Sequence, residues 1–129
     1  MTFLEFLGAI RKLKLDEERV QTADYLEVVI ARDVLAGLTG LLTARFGPAL
    51  KPEGELPSGE SNRLAKPYGG IRKNQTMYFR QDGDLFEYVF LWPWEGGARI
   101  TVKVIQAQAS HKFGSGWKDL VASIFGGNS

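Results

Sequence analysis

The chain has 129 residues, 44% of them hydrophobic and 24% charged, which is enough for one core but not for two ordinary domains. A formal net charge of +1 argues against any global attraction to nucleic acid, so such binding has to come from a local patch. There is no cysteine and only one histidine, His111, which removes disulfide and thiolate chemistry and nearly excludes zinc or copper sites.

At the N-terminus, MTFLEFLGAIRKLK carries its apolar residues before its charges, the reverse of a secretory signal. No stretch approaches the roughly 18 apolar residues that span a bilayer, and a cytoplasmic location is expected. Thr2 followed by Glu5 fits a capping box, and Phe3, Phe6, Leu7, Ile10 and Leu13 recur at helical spacing, so a helix is expected from about Thr2 to Lys14. In KLDEERVQT, Asp16 could open one more helical turn, with Asp16 to Glu18 as its acidic start. The β-branched Val28, Val29 and Ile30, and the alternation of Leu26, Val28 and Ile30 against Tyr25 and Glu27, favour a strand over a helix there.

Asp33 then supplies an N-cap for a helix from Val34 to Phe46, with Val34, Leu38, Leu41 and Leu42 on one stripe and Gly47-Pro48 as its stop. Gly37 and Gly40 weaken that helix by roughly 1 kcal/mol each and suggest a close packing partner on their side. The segment KPEGELPSGESNRLAKPYGG is rich in proline and glycine, reads as a long loop, and could hold a helical turn between Ser58 and Ala65.

Asp82-Gly83 lies between two alternating runs, a strong hairpin signal, and a two-residue loop there sets Phe79 opposite Phe86 and Met77 opposite Tyr88. Met77 and Phe79 thereby share a face with Phe86, Tyr88, Phe90 and Trp92. A three-residue loop of Glu95, Gly96 and Gly97 would set Trp92 opposite Ile100, Phe90 opposite Val102 and Tyr88 opposite Val104. In that register Trp-Pro-Trp is a corner, with Trp94 as a possible exposed platform for a base, sugar or peptide. Glu87 falls between Arg80 and Lys103 on the opposite face, where Leu85, Val89, Leu91 and Ile105 form an apolar strip with no evident cover.

Together these elements predict one α+β domain over 1–129. It divides into a helix–strand–helix half (1–47), a Pro/Gly-rich loop (48–70), a β-meander (71–107) and a C-terminal amphipathic helix (115–125). The sheet is expected to have four strands, antiparallel or mixed, from a β-α unit at Tyr25–Phe46 and the three-stranded meander. The helix Val34–Phe46 should cover the aromatic face, and amphipathic helices should lie at both termini.

Between Ser61 and Gln81 there is no acidic residue. Arg63, Lys66, Arg72, Lys73 and Arg80, interleaved with Tyr68, Tyr78 and Phe79, mix charge with aromatic surface as a phosphate backbone with stacked bases would require. The N–H groups of Gly69 and Gly70 next to Arg72 and Lys73 could cradle an anion. Trp94, together with Trp117, Leu120, Ile124 and Phe125 of the C-terminal segment, is a candidate contact for a partner or ligand. No catalytic pair, cofactor motif or metal-ligand spacing emerges, and His111 in its glycine-containing connector has no carboxylate at a telling spacing.

The leading expectation is a small non-enzymatic interaction module that forms a homo-oligomer through the apolar strip or a terminal helix. The C-terminal helix lying on a membrane surface is the lesser variant. One alternative is a nucleic-acid or anion binder that uses the acid-free segment 61–81. Another is an apolar-ligand binder or enzyme with a pocket under the aromatic sheet face.

Overall fold

The computed structural model describes residues 1–108, so His111 and the expected helix over 115–125, with Trp117, Leu120, Ile124 and Phe125, lie outside them. Helix α1 (Phe3–Arg11) begins at the expected capping box: the Thr2 hydroxyl accepts from the Glu5 N–H, and the Glu5 carboxylate accepts from the Thr2 N–H at 2.7 Å. No further helical turn follows. Glu17–Gln21 forms strand β1, an edge strand exposed along its whole length and bulged between Glu18 and Val20. Charges and a bulge on an edge discourage pairing with another chain, and they also hide the strand from any search for alternating apolar residues.

Strand β2 (Tyr25–Ala31) matches the expected strand. Helix α2 (Leu35–Phe46) follows through a 3-10 turn at Arg32–Val34, so Asp33 is not its N-cap; Val34 occupies that position without a side-chain bond. Gly47 ends α2 at φ +75°. Leu38 and Leu42 are fully buried. A side chain at Gly37 would touch Leu13, but one at Gly40 would meet open space, so only Gly37 has the expected packing partner.

Helix α3 (Gly59–Ala65), capped by Ser58, and a 3-10 turn at Lys66–Tyr68 interrupt the long loop. Strands β3 (Thr76–Asp82), β4 (Leu85–Pro93) and β5 (Arg99–Gln108) complete a five-stranded antiparallel sheet of order β1-β2-β5-β4-β3. The α+β class is as expected, but the sheet has five strands and not four.

Two registers differ from expectation, with unequal consequences. The β3–β4 turn is centred on Gly83-Asp84: Asp82 pairs with Leu85, Phe79 with Tyr88 and Met77 with Phe90. Gly83 alone takes positive φ, +59°, as a glycine-first two-residue turn requires. The slip relative to Asp82-Gly83 is an even one, so the faces are unchanged.

Between β4 and β5, Trp94 donates to the Arg99 carbonyl and Gly97 to the Trp94 carbonyl, which closes a loop of Glu95, Gly96, Gly97 and Ala98. Pro93 then faces Ile100, Leu91 faces Val102 and Tyr88 faces Ile105. One extra loop residue turns every β5 side chain to the other face. Ile100, Val102 and Val104 therefore join Val89 and Leu91 under α1 and α2, while Ile105 joins the aromatics.

The helix following β2 thus covers the aliphatic face and not the aromatic one. Phe6, Leu7, Ile10, Leu38 and Leu42 pack there on Leu26, Val28 and Ile30. The aromatic face is covered by α3 and its 3-10 turn, where Ala65, Tyr68 and Ile71 pack on Tyr25, Met77, Tyr88, Phe90 and Ile105. Tyr68 fills the space above Tyr88 and Phe90, with ring centroids at 4.7 and 5.8 Å. Of the expected apolar strip, Val89, Leu91 and Ile105 are buried within the chain, and Leu85 at the hairpin end of β4 is half-buried. Among the described residues no helix is long and apolar enough to cross a membrane.

Candidate functional site

The sheet and helices fix the surroundings of most charged side chains. Arg11, Arg19, Arg32, Arg45, Arg80 and Arg99 each hold a carboxylate oxygen at between 2.6 and 3.2 Å. The tightest group centres on Glu87, which is 2% exposed. Arg45 engages both of its oxygens, Nε at 2.6 Å and Nη2 at 2.8 Å, and Arg80 adds a bond at 3.1 Å. Arg45 also donates to the Met1 carbonyl and lies over the Phe6 ring, so this cluster ties the N-terminus and α2 to the sheet. Lys103 takes no part in it. The β5 register sends Lys103 to the aromatic face, with Nζ 3.8 Å from the Trp92 ring centroid, and burial pulls its pKa below the usual lysine value while Glu27 opposes that pull.

Arg63 and Arg72 are the arginines without a carboxylate among the described residues, and both are exposed, as are Lys66 and Lys73. Arg63 lies in the last turn of α3, and Lys66 opens the 3-10 turn. Gly69 and Gly70, at φ +100° and +87°, then reverse the chain. Their N–H groups are already occupied: Gly69 donates to the Lys66 carbonyl at 3.3 Å and Gly70 to the Ala65 carbonyl at 3.0 Å. The glycines thus close the helix, as left-handed residues at helix ends commonly do, and do not form an anion cradle. Tyr68 is 1% exposed and has no face left for a base.

Arg72 and Lys73 sit on a tight turn fixed by two bonds between its ends. The Gln75 N–H donates to the Arg72 carbonyl at 3.0 Å, and the Arg72 N–H donates to Gln75 Oε1 at 2.8 Å. From below, the turn is held by Lys51, a residue that sequence reasoning passed over because it sits in the Pro/Gly-rich loop. Lys51 is 1% exposed and donates from Nζ to the carbonyls of Lys73 and Gln75, the latter at 2.6 Å. Burial lowers its pKa from the ordinary lysine value, with Glu55 and Glu53 acting in the opposite direction. The segment is therefore free of acids along the sequence but has carboxylates near it in space.

The Trp-Pro-Trp corner is the other candidate. Trp94 is 42% exposed, donates from Nε1 to Thr101 Oγ1 at 2.8 Å, and lies 5.6 Å from the Arg19 guanidinium carbon. Pro93 ends β4 opposite Ile100, where a missing N–H matters little. Trp92 Nε1 is buried and has no hydrogen-bond partner among the described residues. Trp94 is thus both the expected corner residue and a partly exposed ring, with Arg19 already beside it.

An antiparallel sheet with helices on both faces and a basic α3–β3 connection defines no known class by itself. No protein-family model, curated protein or solved structure shows a detectable match to this chain.

Proposed function

We propose that this chain is a non-enzymatic binding module whose basic surface, Arg63, Lys66, Arg72 and Lys73, takes a short acidic segment of a protein partner. The observation that carries the reading is the contrast among arginines. Those elsewhere are paired with carboxylates, whereas Arg63 and Arg72, on elements consecutive in the chain, are exposed and have no carboxylate partner among the described residues. Guanidinium groups suit bidentate carboxylate recognition, so unpaired ones are the better-placed donors for an incoming anion.

Burial of Tyr68 removes the stacking platform that single-stranded nucleic acid would use. A net charge of +1 leaves only a local field, which fits a short acidic peptide better than an extended polyanion. A cytoplasmic setting belongs to the same proposal. Binding of a fluorescent oligo-glutamate peptide, followed by anisotropy at rising salt, tests it: affinity should fall with salt and be lost in Arg63→Ala/Arg72→Ala. Preference for a single-stranded oligonucleotide over the peptide would replace the acidic-peptide reading with the nucleic-acid one.

Self-association is a second reading, moved to a different surface. Met1 and Leu4 are 70% and 62% exposed on the outer side of α1, beside a shallow recess of Met1, Glu5, Gly8, Ala9 and Lys12. Light scattering should then show an oligomer that Leu4→Glu dissociates; a monomeric parent chain removes this reading.

A further inference from the structure

Lys51 places a buried ammonium directly beneath two exposed cations. Its backbone is fixed by reciprocal bonds with Met77, N to O at 3.1 Å and O from N at 2.9 Å, so it belongs to the sheet edge as firmly as a strand residue. From that anchor the side chain reaches the carbonyls of Lys73 and Gln75, and the Gly54 N–H gives the Lys73 carbonyl a second donor at 2.8 Å. A neutral donor could hold the same carbonyls without desolvating a charge. A lysine here instead gathers three cations, Lys51, Arg72 and Lys73, at one turn. Glu55 and Glu53 act on the Lys51 ammonium in the favourable direction, and Glu53 is also held by Arg32 at 3.2 Å.

We propose that Lys51 is a positioning residue for the acidic-partner surface: by holding the carbonyls of Lys73 and Gln75 it keeps the turn in one conformation, with Arg72 and Lys73 presented outward. The inference rests on the reading of that surface as a binding site. Holding the turn rigid in the free protein removes an ordering cost that binding would otherwise carry.

The test compares Lys51→Met with the parent chain, alone and in the Arg72→Ala/Lys73→Ala background, by oligo-glutamate affinity and amide hydrogen exchange. The expected result has three parts. Exchange quickens at Gly54 and Gln75 while β4 and β5 stay protected. Affinity falls about tenfold, the size of re-ordering roughly one residue. Lys51→Met then causes no further loss once Arg72 and Lys73 are gone, which general loosening of the fold would not produce. Unchanged exchange, or an equal loss of affinity in both backgrounds, overturns the positioning role alone. A parent chain that binds no peptide overturns both this role and the surface reading. Should Lys51→Met fail to fold, Lys51→Gln, a neutral donor able to keep one bond, is measured against the same outcomes.

Discussion

Two groups of cations in this molecule meet opposite fates. Around Glu87, Arg45 and Arg80 are held at one carboxylate, with the Arg45 and Glu87 side chains 9% and 3% exposed. On the α3–β3 connection, Arg63, Lys66, Arg72 and Lys73 face solvent and form no ion pair among the described residues. The first group joins the N-terminus, α2, β3 and β4, and its charges are satisfied internally. The second contributes little to the fold through its side chains, since the turn it decorates is held by backbone, Gln75 and Lys51. A charge that the fold does not use is the more reasonable place to look for a partner.

The sharpest way to break this contrast is at Glu87. Glu87→Ala strands two guanidinium groups, one of them with only 9% of its side chain exposed, and should destabilise the fold by about 3 kcal/mol in urea denaturation. A loss within error of zero would mean that the buried cluster is no more structural than the exposed one.

Alkaline pH gives the next effect. Burial raises the pKa of Tyr25, Tyr68, Tyr78 and Tyr88 above the ordinary tyrosine value of about 10. The unfolded chain releases these protons at a lower pH than the folded one does. Their contribution is therefore complete below about pH 10 and is lost as pH rises from there through the raised folded values. Lys51 and Lys103, with lowered values, shift the balance the other way over the window below the ordinary lysine value, but the four tyrosines outnumber them. The melting temperature should fall steeply above about pH 10; a flat profile there would mean that the aromatic face is more open to water than its packing implies.

Gly83→Val should cost about 1–2 kcal/mol, since a β-branched residue resists φ +59°. Space around the glycine is open, so the loss is purely conformational, and an unchanged melting temperature would mean the turn relaxes freely. The smallest effect is expected for Arg72→Ala/Lys73→Ala, whose stability should stay within about 0.5 kcal/mol of the parent. A loss of several kcal/mol would make those side chains structural and erase the distinction.

Local signals carried much of this fold in the sequence. The Thr2–Glu5 box starts α1, Gly47 stops α2, the β-branched run of β2 is a strand, and the hairpin forms where a glycine permits it. Signals that depend on a neighbour were not legible. β1 is exposed on every residue and has no alternation to detect. The β4–β5 register turned on a single loop residue, and with it went the face assignment of Ile100, Val102, Val104, Lys103 and Ile105. For the same reason Glu87 found Arg45, forty-two positions away in sequence, and not Lys103. In the candidate site the cations could be seen in the sequence. The burial of Tyr68, the occupied N–H groups of Gly69 and Gly70, and the role of Lys51 could not, because each depends on a segment remote in the chain or on helix termination.

The proposed division of labour, in which the exposed cations bind what the paired ones cannot, can be measured in solution. Its most direct measurement is oligo-glutamate affinity as a function of salt, for the parent chain and for Arg63→Ala/Arg72→Ala. Binding should weaken as salt rises and be nearly abolished in the variant, with the melting temperature preserved. Salt-independent binding, or equal affinity in the parent and the variant, would contradict it.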